Sequence, residues 1–183
     1  MSLRTRLLPD RVPAPVRRVA IRSLFRATAD AFGAAMPDLH GSSADAILAT
    51  YARYTDELAR DALDEPHRRQ IVQRRLHANM ERLGRRVRGA LGVRTTPEAL
   101  DVAHRLYRLI GIDLTGDDRG QVVVARCAFA SVYSPEVCSL MSAADAGLLV
   151  GLTGGRELAF TVRLTGGAPA CLATLTAAGD DGR

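Results

Sequence analysis

Apolar residues recur along the first 110 positions at the three- and four-residue spacing of helices that bury one face. Val16, Ala20, Leu24, Ala27 and Ala31 form the first stripe, from about Pro15, and Pro37 is expected to stop that helix. Ser42 or Ser43 caps a second helix, with Asp45 in its first turn and a stripe of Ile47, Tyr51, Tyr54, Leu58 and Ala62. Asp64-Glu65-Pro66 breaks it and opens a third, since proline is tolerated in a first helical turn. That helix is long and rich in arginine. Val72, Leu76, Met80, Leu83 and Val87 face one way, and Gly92 is its expected terminator. Thr95-Thr96-Pro97-Glu98 then joins a hydroxyl cap, an early proline and a carboxylate at one helix start. Leu100, Ala103, Tyr107 and Ile110 are the buried face of this fourth helix, and Gly111 ends it.

Beyond residue 111 the period changes. Gly116-Asp-Asp-Arg-Gly120 reads as a turn, and Gln121-Val-Val-Val-Ala125 as a strand that delivers Cys127 at or just past its end. Ser134-Pro135-Glu136 repeats the cap, proline and acid pattern, which predicts a helix to about Leu152, stopped by Thr153-Gly154-Gly155. Leu158, Phe160, Val162 and Leu164 alternate with polar or small residues, the mark of a half-buried strand. Gly166-Gly-Ala-Pro169 turns it into a partner over Cys171 to Thr176. The fold class is α+β: an N-terminal helical bundle, then a small antiparallel sheet with one packed helix. The expected organisation is a basic flexible arm (1–14), a helical part (15–111) and a cysteine-bearing α+β part (112–183), the last two forming one compact unit. The apolar stripes of the first two helices exceed what one small sheet covers, so a homodimer is an expected partner arrangement.

Composition narrows the function. All 25 cations are arginine, and the net charge is +5. The absence of lysine, beside much alanine and glycine, fits a GC-rich coding bias better than selection for phosphate contacts. Aromatics are 4 % of the chain and Trp is absent, so stacking platforms for single strands are scarce and nucleic acid is not the expected partner. No apolar run approaches the ~18 residues of a membrane span, and the basic N-terminus lacks the apolar core of a signal peptide. With three cysteines, an odd number, these features predict a cytoplasmic protein.

The candidate chemistry is confined to the C-terminal third. Cys127, Cys138 and Cys171 are the only cysteines, and each falls at the end of an element, where side chains from different elements can converge. Cys138 sits in the first turns of a helix, whose positive end favours a thiolate. Ser142 and Asp145 follow it by four and seven residues and share its helix face. Converging thiols would hold an iron–sulfur cluster, a 4Fe-4S cubane with three cysteine ligands and one open iron, or alternatively zinc with Asp145 or a histidine as fourth ligand. Asp145 is the candidate fourth ligand or general base, and Ser142 and Tyr133 are candidates to orient a substrate. The alternative is structural: free cysteine is among the most buried residue types and behaves as a small hydrophobe. The spacing matches no zinc-finger or ferredoxin pattern. His40, His67, His77 and His104 lie in the helical part without a paired metal-binding spacing.

The order Cys127, an aromatic segment, Cys138 at a helix start, Asp145 with Gly147, and a final hairpin carrying Cys171 resembles a group of small domains. It includes the 2-amino-thiazoline-4-carboxylic acid hydrolase-like family, the 4-vinyl reductase small-molecule-binding domain and the methanogen output domain. The resemblance spans roughly residues 100–176. It implies a site at Cys127, Cys138, Asp145 and Cys171, and either an enzyme or a ligand-binding module. Similar C-terminal cysteine spacing occurs in iron–sulfur-sensing repressors, but the first hundred residues here show no winged-helix signature. Three functions therefore stay open. The first is a metal- or iron–sulfur-dependent hydrolase or lyase acting on a small metabolite. The second is a redox- or ligand-sensing module. The third is a metal-free cysteine hydrolase, for which Cys138 is best placed and His104 is the one candidate base.

Overall fold

The computed structural model describes residues 12–177. Positions 1–11 of the expected arm and the tail from 178 lie outside the described residues. Four helices come first: α1 (Ala14–Phe32), α2 (Ala44–Leu63), α3 (Pro66–Leu91) and α4 (Thr96–Leu109). Strands β1 (Ile112–Gly116) and β2 (Gln121–Cys127) follow, then helix α5 (Pro135–Thr153) and strands β3 (Arg156–Val162) and β4 (Cys171–Ala177). The fold is α+β, with N-terminal helices and a small antiparallel sheet, as the sequence pattern predicts.

The helix ends follow local chemistry. Ser43, Thr95 and Ser134 each accept a bond from the backbone N–H three residues on, and Glu98 bonds back to the Thr95 N–H to close a capping box. Gly92 and Gly154 end α3 and α5 in the left-handed conformation that glycine adopts without strain. The first helix differs from expectation. It ends at Phe32, capped by Gly33 with φ +67°, and not at Pro37. Its buried face is Ile21, Phe25, Thr28 and Phe32, while Val16 of the expected stripe is 54 % exposed.

The sheet order is β1-β2-β4-β3, every neighbour antiparallel. Strand β1 is one more than the sequence pattern predicts; its inward residues are Ile112 and Leu114. A register shift between Phe160 and Val162 breaks the expected alternation of β3. Val162 then pairs with Leu172, and both are exposed on the outer face. The inner face, with Val122, Val124, Leu158, Ala173 and Leu175, packs against the helices.

Helix α5 runs through the centre of the core. Its mean hydropathy of 1.3 makes it the one described helix long and apolar enough to cross a membrane, yet 56 % of that window is buried inside the protein. Burial on several sides accounts for the composition, since a core helix has no polar face. Its crossing with α3 depends on small residues. A Cβ on Gly147 or Gly151 would run into the His77 or Glu81 carbonyl oxygen, and one on Gly84 into that of Leu148. Gly147 and Gly151 thus permit a close approach, and what approaches is the backbone of α3.

Candidate functional site

The helices and the inner sheet face enclose a cavity of about 300 Å³. Every helix and both β1 and β2 contribute to its wall. Part of the wall is aliphatic, formed by Leu24, Leu83, Val87, Leu106 and Ile110, which are half-buried. This explains α1. Ala20 and Leu24 of its expected stripe face the cavity, and the helix carries a second apolar stripe that faces the core.

Other residues of the wall carry the chemistry. Asp145 of α5, Tyr107 of α4, Cys127 of β2, Cys138 of α5 and Tyr133 of the β2–α5 connection line it together with Tyr51 and Phe129. Tyr107 Oη donates to Asp145 Oδ1 at 2.7 Å. Tyr51 Oη bonds Thr28 Oγ1 at 3.2 Å, and Tyr133 Oη bonds Thr55 Oγ1. The Phe129 and Tyr133 rings stack at 5.4 Å, and Phe129 meets Tyr51 edge-on at 5.7 Å. Hydroxyls held this way are satisfied within a dry wall, as buried polar groups must be.

Asp145 is the one carboxyl in this wall. It is enclosed on all sides yet is not fully covered, so its remaining free surface belongs to the cavity. Burial pushes it up from 3.8 to about 6, against the downward pull of the Tyr107 bond and the Arg163 charge. Arg163 does not pair with it. Its Nε and Nη2 lie 3.4 and 3.3 Å from Ser142 Oγ, and its guanidinium carbon sits 4.9 Å from the Phe160 ring centre.

The predicted site residues divide. Cys127, Cys138, Asp145 and Tyr133 share the cavity wall. Ser142 does not line it. Its hydroxyl donates to the Cys138 carbonyl at 2.7 Å and receives Arg163. Cys171 also stands outside the wall, buried in β4, where its Sγ accepts the Leu164 N–H at 3.3 Å. His104 turns away towards β1, its Nδ1 2.7 Å from the Leu114 carbonyl oxygen. Tyr107 was legible in sequence only as a core residue. Nothing in the local pattern marks Tyr51 or Arg163 as neighbours of Asp145.

The two thiols in the wall, Cys127 and Cys138, are not activated. Burial raises Cys127 from 9.0 to about 11, which the backbone N–H groups of Phe129 and Ala130 only partly oppose. Burial also raises Cys138, while the neighbouring Thr165 hydroxyl and the Arg163 charge pull the other way without prevailing. The helix N-terminus therefore does not make Cys138 a thiolate: desolvation outweighs it. Each of these two thiols is raised further by a neighbouring cysteine, Cys127 by Cys138 and Cys138 by Cys171. Among the described residues, however, no three His, Cys, Asp or Glu side chains converge closely enough to hold a metal ion.

Comparison with protein-family models, with curated proteins and with solved structures found no match.

Proposed function

We propose that this chain binds a small, mainly apolar molecule in the central cavity, with Asp145 as the polar anchor and acid–base group. The carrying observation is a single titratable carboxyl in an otherwise apolar and aromatic wall, inside a cavity of about 300 Å³. Apolar walls around a space of that size favour an apolar occupant over water. A carboxyl near 6 changes protonation close to neutral pH, the range in which general bases work. A hydrolase- or lyase-like reaction is thus within reach of Asp145 on a bound molecule, and a ligand-sensing module uses the same contacts without turnover. The resemblance to small-molecule-binding domains points the same way. The cysteine-hydrolase reading loses support, because burial raises the Cys138 thiol and His104, its one candidate base, is turned to the Leu114 carbonyl oxygen. The test is calorimetric titration with octanol. Saturable one-to-one binding that disappears in Ala144→Leu, which fills the cavity from α5, is the expected result; no binding overturns the reading.

An iron–sulfur or zinc protein is the second reading, and the electrostatic coupling of Cys127 to Cys138 and of Cys138 to Cys171 speaks for it. The donor set as arranged does not fit such a centre: the sulfurs do not close into one ligand group, and Cys171 Sγ is engaged by the Leu164 N–H. Elemental analysis and a UV–visible spectrum of protein purified without oxygen separate the two. Bound iron or zinc that is lost when the three cysteines become alanine would favour this second reading.

A further inference from the structure

We infer that the cavity's ligand is a protonated amine carried on an apolar body, its ammonium group seated against Asp145. The inference rests on the binding role proposed above and names the chemistry of what is bound. The chain has 25 arginines, yet no arginine or histidine side chain lines the cavity. Asp145 stands there with one hydrogen bond, from Tyr107, and has no ion-pair partner among the described residues. The nearest cation, Arg163, is held aside by Ser142 and Phe160. The Tyr107 hydroxyl donates to the carboxylate, so the protein supplies a proton donor to one oxygen and leaves the carboxyl to accept again from the cavity side. A buried carboxylate without a cation is an expensive arrangement, and a ligand cation relieves it.

The aromatic residues point the same way by a separate route. Tyr51, Tyr107, Phe129 and Tyr133 line the cavity, four of the chain's eight Phe and Tyr side chains. Ring faces attract an ammonium group, and that attraction strengthens where water is excluded. A carboxylate beside several rings complements a desolvated cation. It opposes a carboxylate ligand by like charge in a low-dielectric setting, and it gives an alcohol only a single hydrogen bond. The aliphatic lining residues, among them Leu24, Leu106 and Ile110, suit the ligand's hydrocarbon part.

The experiment titrates the full chain at pH 7.5 with octylamine, octanol and octanoate, which share one tail and differ in head group. Octylamine is expected to bind about tenfold or more tighter than octanol, with octanoate weakest. Asp145→Asn should abolish the preference for octylamine over octanol, bringing the two to within about threefold of each other whatever the affinity of either. An amine that binds no better than the alcohol in the wild-type chain, or an amine advantage that survives Asp145→Asn, overturns the inference. The wild-type comparison alone can do so if the variant fails to fold. Binding of octanol without preference for the amine leaves the pocket reading standing and removes only the ammonium. Binding of none of the three removes both.

Discussion

Asp145 carries the sharpest expectation for a single side chain. Its folded value of about 6 lies above the 3.8 of an ordinary aspartate, so the folded chain holds this proton more tightly than the unfolded one. The stability linked to that proton is fully present below about pH 3.8 and is lost as pH rises through about 6. A two-unit displacement corresponds to a loss on the order of 3 kcal/mol at neutral pH. Asparagine keeps the shape and still accepts from Tyr107 but carries no charge. Asp145→Asn should therefore unfold at higher urea than the wild type at pH 7.5, by roughly 2–3 kcal/mol, with the gap closing towards pH 4. A gap that is the same at both pH values would mean that desolvation of the carboxylate is not its source. A carboxylate kept at such a cost in a core is more readily explained by use than by stability, the trade-off typical of functional sites.

The helices were largely legible because their ends are chemical. Ser43, Thr95, Ser134, Gly92 and Gly154 act through their own side chains or backbone conformation and owe little to the rest of the fold. Strand β1 was not legible: five residues with two inward apolar positions give too little period beside the Gly116–Gly120 turn. The face of α1 was ambiguous for a different reason. Val16, Ala20 and Leu24 repeat as Ile21, Phe25 and Thr28 do, and periodicity cannot tell a stripe on a cavity from a stripe on the core. Cys127, Cys138 and Asp145 could be grouped from sequence because they share one supersecondary unit. Tyr51 and Tyr107 come from distant helices, and only packing brings them to the carboxyl. The α3–α5 crossing yields a paired prediction. Gly147→Ala places a methyl against the His77 carbonyl, where both sides are backbone, and should cost about 1–3 kcal/mol. Gly89→Ala, on α3, meets nothing within 4 Å and should stabilise by about 0.5–1 kcal/mol. Urea midpoints for the two variants should move in opposite directions; a shared direction would mean that helix propensity, and not the close crossing, governs both.

A central void and a charged group within it leave the unliganded fold less stable than its core residues would allow, and ligand binding should recover the difference. Ala144 faces the cavity from α5 and is nearly buried, so Ala144→Leu directs three added carbons into space already present. Filling a void restores contacts, and the variant should gain about 1–2 kcal/mol where overpacking elsewhere in the core would lose as much. The ligand response should change in the opposite sense. A ligand at a hundred times its dissociation constant stabilises a folded chain by about 2.7 kcal/mol, which for a chain of this length raises the thermal midpoint by roughly 5–10 °C. Octylamine should produce that rise in the wild type and leave Ala144→Leu within about 1 °C of its own unliganded midpoint. Because the variant starts higher and responds less, the two liganded midpoints should nearly meet. Destabilisation by Ala144→Leu would mean that the α5 side of the cavity holds no room for a ligand, and an undiminished octylamine shift in that variant would mean that the amine binds elsewhere.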